Sequence, residues 1–147
     1  MNEFDLLGFS NDDGGRKADG YKGNADDCAT RAIAIATGRT YQEIYDLVDE
    51  QGTKERPRRS RKKGSARTGI KKSSIDKILA RLGWKWVPTM QIGSGCKVHL
   101  LKSELPAGRL IVRVSKHITA VIDGVIHDTY NPSRGGTRCV YGYWRKI

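Results

Sequence analysis

Residues 117–130 read HITAVIDGVIHDTY. Asp123-Gly124 separates two runs rich in β-branched and aromatic residues, a pattern that favours a two-residue type I′ hairpin turn. A turn of fixed length also fixes register. Counting outward from it, Ile122 faces Val125, Thr119 faces Asp128 and His117 faces Tyr130. His117, Thr119, Asp128 and Tyr130 thus share one face of the hairpin. His117 and Asp128 are diagonal neighbours there, within reach of an imidazole–carboxylate contact. His127 falls on the opposite face and is a poor candidate for the same site.

The period of two continues on both sides. WKWVPT (84–89), GRLIVRVS (108–115) and RCVYGYW (138–144) read as further strands. Their aromatics, Trp84, Trp86, Tyr141, Tyr143 and Trp144, read as core or groove walls. Upstream the pattern is helical. In NADDCATRAIAIATG (24–38), Asp26 or Asp27 can cap a helix that is apolar nearly all round and that Gly38 ends. Thr40 and Glu43 form a T-x-x-E capping box for a second helix over about 41–50. A third starts at Ser73 or Ser74, carries Ile75, Ile78, Leu79 and Leu82 inward, and stops at Gly83. Helices followed by an antiparallel sheet predict a single α+β domain over 1–147, with residues 1–22 a loosely held leading segment.

The formal charge of +11 over 147 residues is unevenly spread. Residues 53–72, TKERPRRSRKKGSARTGIKK, hold ten Lys/Arg and one Glu, leaving 17 basic and 15 acidic side chains elsewhere. Self-repulsion and the absence of hydrophobic periodicity predict an exposed, flexible loop. Two readings stand for it: a solvated loop, or a surface that neutralises phosphates or acidic partners. In the second, the candidate contacts are Arg56, Arg58, Arg59, Arg61, Lys62, Lys63, Arg67, Lys71 and Lys72.

No apolar run approaches the roughly 20 residues of a membrane span, and the acidic N-terminus does not read as a signal peptide. Three cysteines, far apart at 28, 96 and 139, do not look like a disulfide scaffold, so a reducing cytoplasm is expected. Cys96 and Cys139 read as structural thiols. No C-x-x-C or H-x-x-x-H spacing supports a metal site, and no cofactor motif is present. Oligomeric state is not legible.

Cys28 has two readings of its own. A cysteine on a buried helix is commonly packing. A thiol at a helix N-terminus is also favoured as thiolate by the dipole and the free N–H groups. With His117 as base and Asp128 holding the imidazole, it completes a nucleophile–base–carboxylate set. Asp26 and Asp27 oppose this unless they point away from the sulfur.

A Cys opening a buried N-terminal helix, followed by a sheet with His at the start of one strand and Asp at the end of the next, resembles the papain-like cysteine peptidases. DDCATRAIAIATGRTYQEIYDLV, HITAVIDGVIHDTYNPS and RCVYGYW look most similar to short bacterial and phage proteins related to bacteriocin-processing peptidases. The resemblance leaves out the first 20 residues and the basic segment. It implies a thiol hydrolase of the bacterial or phage-host cytoplasm, acting on protein or peptide substrates. Cys28 would be nucleophile, His117 base then acid, and Asp128 the orienting group, with Asn131 the alternative third member. The family's Gln before the Cys is missing from GYKGNADDC; Asn24 is the nearby amide, and with the Cys28 N–H it would hold the oxyanion. A second implied possibility is an inactive scaffold that binds nucleic acid or a host protein through the basic loop.

Overall fold

The structure, a computed structural model, describes residues 5–22, 26–55, 64–67, 69–91 and 93–147. Strand β1 (Gly8–Asn11) precedes helices α1 (Cys28–Thr37), α2 (Tyr41–Gly52) and α3 (Lys72–Arg81). Strands β2 (Trp84–Pro88), β3 (Arg109–Val114), β4 (His117–Ile122), β5 (Val125–Asp128) and β6 (Val140–Lys146) follow, with a 3₁₀ turn at Lys102–Glu104. The class is α+β, as expected.

The sheet runs β1-β5-β4-β3-β6-β2. It is antiparallel except at its edge, where β1 lies parallel to β5. Two expectations are corrected here. The sheet is mixed, and residues 8–12 of the leading segment are not loosely held. GFSN carries no apolar alternation; ladder pairing from Gly8↔Val125 to Asn11↔Asp128 holds it, and the Asp12 N–H extends the ladder to the Asp128 carbonyl at 2.9 Å.

The hairpin keeps the counted register, with Ile122↔Val125, Val121↔Ile126 and Ala120↔His127 paired. Asp123 and Gly124 have φ of 47° and 80°, the two positive values a type I′ turn requires. Thr40 caps α2 by accepting the Glu43 N–H at 3.1 Å. The start of α3 is one residue earlier than the serines suggest. Its capping group comes from outside the helix: Glu55 Oε2 accepts the Lys71 N–H at 2.8 Å and the Ser74 hydroxyl at 2.6 Å.

Both faces of the central sheet are buried. Ile33 and Ala36 of α1, Ile44 and Val48 of α2, and Ile75, Ile78 and Leu79 of α3 pack on Ile111, Ile118, Ala120 and Trp144. Leu7, Leu100 and Leu105 cover the other face over Leu110, Val112, Val114, Val121 and Ile126. Strand alternation divides β3 and β4 between these two cores. Trp84 and Trp144 are core residues. Trp86 lies across Gly142, where a Cβ would come within 2.3 Å of its ring, and packs on Trp144 with ring centroids 4.5 Å apart.

Cys96 and Cys139 are joined in a disulfide, with Cα atoms 5.9 Å apart. This corrects the expectation that the cysteines do not pair, and with it the inference from cysteine spacing to a reducing compartment. Spacing along a chain does not report on a pair that a β-bridge between His99 and Cys139 brings together.

The basic segment also departs from a free loop at its described ends. Ser65 and Gly69 exchange backbone hydrogen bonds of 3.1 and 2.8 Å. Ala66 is buried, and its N–H donates to Asp49 Oδ1 at 2.7 Å. Fixed carboxylates on α2 and at Glu55 therefore hold residues 64–67 and 69–72 despite their charge. Arg56, Arg58, Arg59, Arg61, Lys62 and Lys63 lie outside the described residues. No helix among the described residues is long and apolar enough to cross a membrane.

Candidate active site

Cys28 is the first residue of α1, a free, half-buried thiol on a groove of about 940 Å³. Its backbone N–H stands in the first helical turn, where donors have no intrahelical acceptor. Asp27 occupies the N-cap position but makes no side-chain cap. Its carboxylate turns instead into a buried cage: Tyr41 Oη donates to Oδ2 at 2.7 Å, Arg16 Nε lies 3.2 Å from the same oxygen, and Arg31 meets Oδ1. The capping expectation is thereby corrected for Asp27. Two arginines neutralise the carboxylate that opposed a reactive thiol.

Across the groove, His117 opens β4 and Asp128 closes β5, both buried. His117 Nε2 lies 2.7 Å from Asp128 Oδ2. The same oxygen accepts the Thr119 hydroxyl at 2.7 Å, while Oδ1 accepts the Thr129 N–H at 2.7 Å and faces Arg31 at 3.8 Å. Burial pushes the Asp128 pKa upward, but its donors and the imidazole charge win and hold it below the carboxylate range. For His117, burial alone would lower the pKa. Hydrogen bonding and charge from Asp128 and Cys28 overcome that and raise it from 6.5 to about 9. With Nε2 committed to Asp128, Nδ1 is the ring atom left for the thiol.

Asn131 does not join the set. Its Oδ1 accepts the Ser133 N–H at 3.0 Å, stabilising the turn after β5, so Asp128 is the carboxylate partner of His117. Asn24 lies outside the described residues. His127 sits apart, 3.6 Å from Asp12.

Two contributors, Arg31 and Tyr130, were not read from the chain as site residues. Arg31 bridges Asp27 and Asp128; its i, i+4 spacing from Asp27 was the signal available. Tyr130, half exposed, lays its ring 5.0 Å from that of His117. The end of the basic segment forms a wall of the groove: the Arg67 carbonyl accepts the Asp26 N–H at 2.7 Å, and Gly69 to Lys72 line the cavity opposite Arg113 and Lys116. Lys72 is engaged with Asp76 at 2.9 Å and lies over the Trp86 ring. Among the described residues no group of three or more His, Cys, Asp or Glu side chains is arranged to hold a metal ion.

Chemically the arrangement offers a nucleophile at a helix N-terminus, a base charged by its neighbours, and a buried carboxylate that fixes the tautomer. No family model, curated protein or solved structure matches the chain.

Proposed function

We propose that the chain is a cysteine-dependent hydrolase of papain-like type, acting on amide or isopeptide bonds of a protein or peptide. The observation that carries this is the buried 2.7 Å contact between His117 Nε2 and Asp128, across the groove from the free Cys28 thiol. In this reading His117 takes the Cys28 proton and the thiolate attacks the carbonyl carbon. The Cys28 backbone N–H stabilises the oxyanion, and His117 returns its proton to the departing amine. Water, activated by His117, then opens the thioester. The resemblance to papain-like peptidases supplies the reaction class; the geometry supports a paired thiol.

The first test is the pH dependence of iodoacetamide labelling at Cys28, read by mass spectrometry in the native protein and in His117→Ala. Labelling well below the free-thiol value of about 8.5, lost in His117→Ala, supports the pair. A Cys28 that reacts only after unfolding refutes it. Peptide hydrolysis that disappears in Cys28→Ala completes the case.

A second reading is an inactive scaffold that binds nucleic acid or an acidic host protein. It is favoured by the position of residues 69–72, which carry the basic segment into the groove opposite Arg113 and Lys116. Replacing Arg58, Arg59, Arg61, Lys62 and Lys63 with serine separates the two while sparing the buried Ala66. Loss of salt-sensitive RNA or DNA retention, with Cys28→Ala silent throughout, selects binding.

A further inference from the structure

A second sulfur–imidazole–carboxylate array lies outside the groove, and the Cys28 chemistry does not use it. Cys96 Sγ, bonded to Cys139, lies 3.5 Å from His99 Nε2. On the far side of the ring, His99 Nδ1 lies 3.2 Å from Glu104 Oε1, and that oxygen also accepts the His99 backbone N–H at 3.3 Å. Glu104 thus fixes both the ring and its backbone, leaving Nε2 directed at the sulfur.

The two sulfurs are unequal. Cys96 is exposed; Cys139 is half-buried, with its Sγ 3.7 Å from Met90 Sδ. The side chains of His99 and Glu104 are 36% and 28% exposed, so a solute can reach the array. A staple needs two sulfurs and nothing more, whereas an imidazole held on the accessible one supplies a hydrogen-bond partner for a thiolate there. Backbone pairing would hold the two cysteines in register with the bond open: the Leu100 N–H donates to the Arg138 carbonyl at 3.0 Å and the Val140 N–H to the Val98 carbonyl at 2.8 Å.

We infer that Cys96–Cys139 is a thiol–disulfide exchange site whose substrates are low-molecular-weight thiols and their disulfides. A substrate thiolate attacks Cys96 Sγ, forming a mixed disulfide as the Cys96–Cys139 bond breaks. The departing electron pair stays on Cys139, which takes a proton from solvent. A second substrate thiolate attacks the substrate sulfur of the mixed disulfide and releases Cys96 Sγ beside the His99 ring, the Cys96–His99 pair taking up a second proton from solvent. Two thiols are oxidised to one disulfide, and the protein gains two electrons and two protons. In the reverse direction the Cys96 thiolate attacks the small disulfide and Cys139 resolves the adduct. None of this depends on how Cys28 is read.

The test uses glutathione and its disulfide on Cys28→Ala protein, which removes the competing thiol. Acid-quenched samples are mapped by mass spectrometry, with and without His99→Gln. The adduct is expected on Cys96, and His99→Gln is expected to slow reoxidation by glutathione disulfide about tenfold at pH 7, as the thiolate fraction falls. An adduct on Cys139, an unchanged rate in His99→Gln, or a disulfide that opens only in urea overturns the inference. If His99→Gln does not fold, the pH profile of Cys96 alkylation in the reduced protein decides. A midpoint well below about 8.5 supports the site, and one at that value overturns it.

Discussion

Replacing Asp128 with asparagine keeps the shape of the buried cluster but removes the charge that holds the His117 proton. The structure raises the His117 pKa from 6.5 to about 9 against the opposing effect of burial. At about 1.4 kcal/mol per pH unit, the preferential protonation of the native state is worth about 3 kcal/mol. The sign follows from the direction of the shift. Below pH 6.5 both native and unfolded chains carry the proton and the stabilisation is complete. Between 6.5 and about 9 only the native state keeps it, so the contribution declines with rising pH and is gone above that range. Urea unfolding at intervals from pH 6 to 10, for the native sequence and Asp128→Asn, isolates this term as the difference between the two curves. Cys28 still acts on the ring in the variant, so that difference should shrink across the window by at most about 3 kcal/mol. A direct readout is the His117 imidazole followed by NMR: near 9 in the native chain, lower in Cys28→Ser, and lowest in Asp128→Asn. An imidazole titrating near 6.5 in the folded protein, or a stability difference that stays constant with pH, would refute the coupling of Cys28, His117 and Asp128.

Asp27→Ala removes the buried carboxylate that Arg16, Arg31 and Tyr41 share and should cost about 3 kcal/mol by chemical denaturation; a cost below 1 kcal/mol would show the cage to be dispensable. Gly142→Ala places a methyl 2.3 Å from the Trp86 ring and should cost about 1–3 kcal/mol, with a shift in Trp fluorescence as the ring moves off Trp144; an unchanged melting curve and spectrum would contradict that packing. Thr119→Val removes one of the donors on Asp128 Oδ2 at constant shape and should lower stability by about 1 kcal/mol. It should also slow Cys28 alkylation at pH 7 as the carboxylate loses its fixed position, and equal rates would argue against that orienting role.

The hairpin was legible because its information is local. Asp123-Gly124 admits one turn, the turn admits one register, and the register places His117 beside Asp128. Thr40 and Glu43 were legible for the same reason. Partners distant in the chain were not. Gly8–Asn11 has no strand signature of its own and finds its place only against β5. Glu55 reads as a lone acid in a basic run until it is seen capping α3 from outside. Asp27 looked like an obstacle to a reactive Cys28. Arg16, from the leading segment, and Arg31, one turn along the helix, supply the charges that change its meaning. The Cys96–Cys139 bond joins residues 43 apart in the chain and depends on the bridge between His99 and Cys139.

The position of β6 has a consequence for the order of folding. It lies between β3 and β2, so the sheet stays in two pieces until it inserts. The core under the Cys28 helix draws Trp144 from β6 and Trp84 from β2. Until β6 is in place, that helix has only part of its sheet to pack against. Long-range pairing of this kind is slow and comes late. Helix α1 precedes the other helices in sequence, yet it is completed by strands that follow them all.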